Sequence, residues 1–175
     1  GNSTGEKNEK NSLCYFSHIV YFALIISIII TSLGLNYSEK IFILMGSTQY
    51  VTNLGLQYTD IIFYGSILFI LVVAINSLLH AEGDTKTYRN VLILSFLINI
   101  ILNPILIFGF MFVPAFGLKG IGLSTLVAQF VSFTIILFKV LKNKRIKKIT
   151  KEYLLPKFYY FRNIFFQSMP IIVSI

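Results

Sequence analysis

A chain of 175 residues with 55% hydrophobic and 13% charged side chains, at a mean hydropathy of +0.77, holds more apolar surface than one soluble core can cover. It reads as a membrane protein. Fifteen Lys and Arg against seven Asp and Glu give a net charge of +8, which on a soluble domain would point to nucleic acid. Their placement argues otherwise: segments 1–12, 82–89 and 139–162 carry two, two and nine basic residues, and the alternate connections carry only Lys40 and Lys119. Thirteen of fifteen on one side is the positive-inside bias, which assigns those three segments to the cytoplasm and leaves nucleic acid an unexpected partner.

Four runs are long enough to span a bilayer without an internal acid or base: 13–35, 61–81, 90–112 and 120–138, with a fifth beginning near Asn163. The first follows Lys7 and Lys10 but is too long for a signal peptide and lacks a small-residue cleavage site. The chain opens on Gly1 without Met and stops at Ile175 in an apolar run, and is read as a piece of a longer protein. One cysteine, Cys14, excludes an internal disulfide, and with His18 and His80 it makes no metal-ligand spacing. No cofactor is expected.

Between the first two spans, 36–59 mixes apolar IFILM (41–45) with polar residues, which predicts an interfacial helix, and Asp60 stands where a carboxylate would cap the second span. The turn HAEGDTKTYRN (80–90) supplies Gly83 to end one helix and Asp84, Thr85 and Thr87 as candidates to cap the next. His80, at the end of the second span, suits a helix C-terminus better than a proton relay. FVPAFGLKGIG (112–122) makes a tight turn in which Gly120 and Gly122 allow a neighbouring backbone to approach. The run KVLKNKRIKKITK (139–151) is first a topology anchor, with anionic lipid headgroups as a second role.

Polar residues inside the spans need a separate explanation, because an unpaired amide in hydrocarbon costs several kcal/mol. In LINIILNPILIFG (97–109), Asn99 and Asn103 continue a four-residue spacing from Ser95, and Pro104 follows. The proline removes a backbone donor and is expected to kink the helix and free a carbonyl near residue 100. Gly122, Thr125, Gln129 and Ser132 form a second stripe, and Asn76 and His80 a third pair. Such amides can be interhelical glue, each worth about 1 kcal/mol. Two amides and a proline at one depth exceed what adhesion requires, and predict a midmembrane site for a cation or polar ligand.

The stretch AEGDTKTYRNVLILSFLINIILNPILIFGFMFVPAFGLKGIGLSTLVAQ (81–129) resembles the multidrug and toxic compound extrusion (MATE) family of the MOP superfamily. Its specific parts are GDTKT, LINIILNPILIFG and GLKGIGLSTLVAQ in that order. Less specifically, GNSTGEKNEK (1–10) is similar to the family's loop before the third helix, ILMGSTQYVTNLGLQY (43–58) to its outer loop after that helix, and QSMP (167–170) to the start of its seventh. The resemblance implies an all-α, polytopic bundle: the third to sixth helices of a twelve-helix transporter within 1–138, a cytoplasmic linker at 139–162, and the start of the second lobe at 163–175.

It also implies a monomeric antiporter of the inner membrane that exports small cationic, amphipathic compounds in exchange for H+ or Na+. In family members with a proton- or cation-responsive N-terminal lobe, the fifth helix carries an Asn and, four residues on, an Asp before proline; Asn99 matches the first and Asn103 replaces the second. An amide cannot titrate, so coupling through this helix departs from the pattern, although its oxygen can still coordinate Na+. Thr125 falls near the family's hydroxyl on the sixth helix. A lipid-linked-saccharide flippase of the same superfamily is the nearest alternative, disfavoured because no Arg or Lys lies in the four spans. A non-transporting membrane subunit is the other. No nucleophile and base, phosphate loop or paired carboxylates suggest an enzyme.

Overall fold

The structure is a computed structural model, and it describes residues 9–143, 146, 155 and 157–173, with the side chains of 9–11 and 167–173 left aside. Residues 1–8, most of the basic linker and the QSMP side chains therefore lie outside the described residues. Among the described residues six helices follow one another: α1 (Glu9–Leu44), α2 (Gln49–Tyr64), α3 (Ser66–Ala81), α4 (Thr85–Phe108), α5 (Leu118–Leu141) and α6 (Phe158–Val173). The fold is all-α. Three of the helices are long and apolar enough to cross a membrane, and α2 with α3 pass that test together as one bent span, which makes the protein an integral membrane protein.

Two expectations fail at the first hairpin. The 13–35 run lies inside a helix of 36 residues that continues to Leu44, so Ile41–Met45 closes α1 and the turn after it rather than forming a separate interfacial helix. Polar Asn36, Ser38, Glu39 and Lys40 interrupt the hydropathy without interrupting the backbone hydrogen bonds, because none of them breaks a helix. The next helix begins with Thr48, whose hydroxyl accepts from Val51 N at 3.4 Å. Asp60 therefore sits three turns inside α2 and caps nothing.

The 61–81 run is divided at Gly65, where α2 and α3 meet at 42°. A Cβ at Gly65 would collide with the Leu126 side chain, so the bend forms where a side chain of α5 packs against the backbone. Thr31 Oγ1, on α1, meets Phe63 O at 2.9 Å and Ser66 Oγ at 2.7 Å, and Ser66 Oγ reaches Ser27 O at 3.3 Å. The break thus stays hydrogen-bonded without water.

The turn between α3 and α4 behaves as the sequence predicts. Gly83 has φ +83° and donates to His80 O at 3.0 Å, while Asp84 N reaches Leu79 O at 2.9 Å, the two bonds of a Schellman motif. Asp84 then caps α4, accepting from Thr87 N at 3.0 Å and from Thr87 Oγ1 at 2.7 Å. Lys139 of α5 lies 3.6 Å from the same carboxylate, and Asn143 Nδ2 donates to Glu82 Oε2 at 2.5 Å, tying the turn to the end of α5.

Helix α5 is the axle of the bundle, in contact with α2, α3 and α4, while α1 packs on α2 and α3. Its buried stripe is Gly120, Gly122, Ser124, Ala128, Ser132, Ile136 and Val140. At Gly120 an added Cβ would stand 2.6 Å from the Leu106 carbonyl, so α4 and α5 touch backbone to backbone as the small residue allows. Gly122 instead faces the Ile61 side chain. The apolar core, Val72, Ile75, Leu78, Leu79, Val91, Ile136 and Val140, gathers at the end of the bundle that carries the 82–84 turn. Helix α4 ends at Phe108, four residues before the predicted span does, because Gly109 and Met111 take positive φ and Phe110 pairs with Val113.

Two outcomes test this packing. Gly120→Val must push the α4 backbone away and is expected to lower the thermal unfolding midpoint strongly, while Gly83→Ala, which opposes only the positive φ, costs about 1 kcal/mol. The hydrogen bonds from Thr87, then Lys139, hold the Asp84 carboxyl below its ordinary value of 3.8. Its contribution is then complete above that value and is lost as pH falls through the lower folded one. Asp84→Asn should remove this acid-limb dependence in a pH series of melting curves.

Candidate functional site

Asn99 and Asn103 lie one turn apart on the face of α4 that looks toward α5. Asn99 Nδ2 donates back to Ser95 O at 3.1 Å, which fixes the side chain along its own helix. Its Oδ1 is buried and has no hydrogen-bond partner among the described residues. Pro104 lies inside α4, which stays helical through it to Phe108, and the missing N–H is the one that would serve Ile100 O. One turn of α4 therefore presents two carbonyl oxygens, Asn99 Oδ1 and Ile100 O, short of their helical or side-chain donors.

Asn103 is joined to α5, but through Ser124 rather than through Thr125. Ser124 Oγ contacts Asn103 Oδ1 and also lies 2.8 Å from Ile121 O. A hydroxyl has one proton for these two acceptors; with the Asn103 amide turned over, Nδ2 donates to Ser124 and the hydroxyl donates to Ile121, and both contacts are satisfied. Thr125 Oγ1 is occupied by Ile121 O of its own helix at 2.9 Å. Gln129 is half-buried on the same helix. Ser124 was legible only as the first member of a Ser124, Ala128, Ser132 series at four-residue spacing, a set of small residues that reads as packing.

Asn76 does not join this group. It is 4% exposed, its Oδ1 has no partner among the described residues, and it lines a groove of about 500 Å³ with Val73, Ser77, His80, Ala81 and Tyr88. His80 closes α3, with its ring 5.9 Å from that of Tyr88. Gly83 and Asp84 form the turn below and Thr85 opens α4; Asp84 bonds to Thr87 and Asn99 to Ser95, with no hydrogen bond between the two groups among the described residues. The expected three-helix set is thus divided into a mid-helix pair on α4 and α5 and a separate pocket near the turn. Among the described residues no group of three His, Cys, Asp or Glu could hold a metal ion.

His18, weighed in the sequence only for metal-ligand spacing, is fully buried near the start of α1. Its Nε2 accepts from Lys157 N at 2.8 Å, so Nδ1 carries the proton and donates to Cys14 O at 2.7 Å. Tyr160 and Phe161 of α6 close over the ring at 4.8 and 5.2 Å. Burial, ahead of the neighbouring Cys14, pushes the Tyr160 hydroxyl up to about 12. This neutral tautomer fastens the first residues of α6 to α1.

The arrangement has relatives. The chain is 28% identical over 157 residues to the "Probable multidrug resistance protein YoeA" of Bacillus subtilis, covering 88% of this chain and 34% of that protein. It is 26% identical over 135 residues to the "FAD transporter" of Shewanella oneidensis, covering 77% and 30%. The chain therefore spans about a third of the length of these curated relatives. Its fold matches an "Inward-facing conformation of a multidrug resistance MATE family transporter of the MOP superfamily" with a TM-score of 0.84 over 93% of this chain and 36% of that one, at 22% identity. The MatE family model matches residues 1–105, well over half of the chain and including the Asn99 and Asn103 turn, and the chain belongs to the MATE family.

Proposed function

We propose that this chain forms part of the N-terminal lobe of a secondary antiporter, lodged in a bacterial-type inner membrane, that exports cationic amphipathic compounds in exchange for H+ or Na+. The carrying observation is the turn of α4 on which Asn99 Oδ1 is buried without a donor beside the carbonyl released by Pro104. An acceptor left bare in a membrane helix is costly unless a cation or a polar ligand visits it. Asn103, bonded to Ser124, orients that turn toward α5, and Thr125 and Gln129 extend the polar lining along that helix, while Asn76 lines its own groove nearer the 82–84 turn. Within this reading, segments 1–12, 82–89 and 139–162 are cytoplasmic, 139–162 links the lobes, and 163–175 begins the second.

The relative named for FAD raises an anionic cargo as a second reading. FAD carries phosphates, and recognition of phosphate inside a membrane calls for Arg or Lys. None occurs within 13–35, 61–81, 90–112 or 120–138, which supports a cationic or neutral cargo for this part of the cavity. An enzymatic role has no support in the residues of the site.

The test separates a binding turn from adhesion. In the full-length protein, reconstituted into liposomes with an imposed Na+ or H+ gradient, Asn99→Ala removes no interhelical hydrogen bond. It is expected to lower dye export about tenfold, equivalent to about 1.4 kcal/mol, while leaving the melting temperature nearly unchanged. Ser124→Ala breaks the α4–α5 contact and should cost about 1 kcal/mol of stability. Normal export by Asn99→Ala would reduce the stripe to glue. Asn103→Asp restores a titratable group and should make export fall as external conditions protonate it, read from a pH series of transport rates.

A further inference from the structure

Asp60 was expected to cap a helix and does not, which leaves a carboxylate without that task in the body of α2. It is the one acid between Glu39 and Glu82 in the sequence. Asn53, Gln57, Asp60 and Tyr64 follow one another at spacings of four, three and four, a single helical face. Together with Leu56 and Ile61 they line a groove of about 510 Å³, and Lys119 of α5 closes its far side. Asp60 is half-buried there, and the Tyr64 ring is 68% exposed.

The carboxylate makes no hydrogen bond among the described residues, and the ion pair found among them is Lys139 with Asp84. Asp60 and Lys119 thus share a groove without pairing. The depth of the groove follows from the crossing of α2 and α5: Gly122 rests on Ile61, so Asp60 is level with the first turn of α5, at the end of the bundle that carries the 109–117 turn. The charge bias makes this the external end.

We infer that Asp60, with the amides of Asn53 and Gln57 and the face of Tyr64, is an exit-side site for a monovalent organic ammonium or phosphonium cation, and that Lys119 is its tethered competitor. This rests on the cation-export reading above. A half-buried carboxylate favours a cation close by, amide oxygens complete its shell, and an aromatic face adds cation–π attraction. Lys119 stands in the first turn of α5, where the helix dipole disfavours a positive charge, on a four-carbon stem that can swing. Reaching Asp60 relieves that position. A cargo cation arriving from the membrane interior holds Lys119 off; the ammonium then displaces it, neutralises the carboxylate and opposes re-entry.

The two residues should act with opposite sign, which a structural ion pair would not do. Tetraphenylphosphonium binding is measured on the purified full-length protein in nanodiscs, with thermal unfolding followed in parallel to read folding separately. Asp60→Asn, nearly isosteric, is expected to weaken binding about tenfold, and Lys119→Gln to tighten it several-fold and slow release. Equal affinity in Asp60→Asn and wild type, or a weakening in both variants, overturns the site while leaving cation export intact. If wild-type protein neither binds nor transports the probe, the export reading falls and this inference falls with it.

Discussion

A carbonyl freed inside hydrocarbon must find a donor, and the chain meets that constraint in two different ways. Where α2 breaks into α3, the Phe63 carbonyl is taken up by the Thr31 hydroxyl, reached across from α1. Ser66 and Ser27 extend the same clasp, so a bend of 42° is held by a short chain of hydroxyls. Where Pro104 removes a donor from α4, the neighbouring side chain adds a second acceptor instead, since Asn99 spends its N–H on Ser95 and leaves its oxygen bare. One interruption is sealed and the other is left open. The sealed one gives the bundle its shape, and the open one leaves acceptors bare in the body of α4, the feature on which the proposed site rests.

The rest of the packing serves these two places. Glycine at 120 brings the α4 backbone onto α5, which sets the depth at which Asn103 meets Ser124. At the other end of the same helices, Lys139 and Asn143 hold the 82–84 turn, so α4 is pinned to α5 above and below the polar turn. Most of the remaining surface of α4 is apolar and exposed, Leu92, Ile93, Phe96, Leu97, Ile100 and Ile101 among them. Its main contact with the bundle is the seam with α5, and that seam is where Asn103 meets Ser124.

How much of this could be read in advance varied with the physics of each segment. The α4 and α5 spans and the Gly83–Asp84 turn were legible, because uniform hydropathy, a glycine that needs positive φ and a carboxylate three residues before a receptive N–H each act locally. The first hairpin was not. Hydropathy falls at residues 36–40 although the helix persists, and Asp60 before an apolar run looks the same whether it caps a helix or lies inside one. Ser124 and His18 depend on partners 21 and 139 residues away. Four-residue spacing put Asn99 and Asn103 on one face of α4, but it could not show which of two adjacent hydroxyls on α5 would meet Asn103.

The length of α1 carries a consequence for how the molecule sits in its bilayer. At about 1.5 Å per residue its 36 residues measure about 54 Å, against a hydrocarbon layer of about 30 Å. Lying wholly within that layer would demand a tilt of more than about 55°, beyond the range of roughly 0–40° that spanning helices adopt. Part of the helix must therefore lie outside that layer, and charged pairs stand near both tips, Glu9 and Lys10 at one and Glu39 and Lys40 at the other. The 13–35 run accounts for less than two thirds of the helix, so the surplus beyond it, packed on α2, extends the hairpin past the thickness that the apolar run alone would fill.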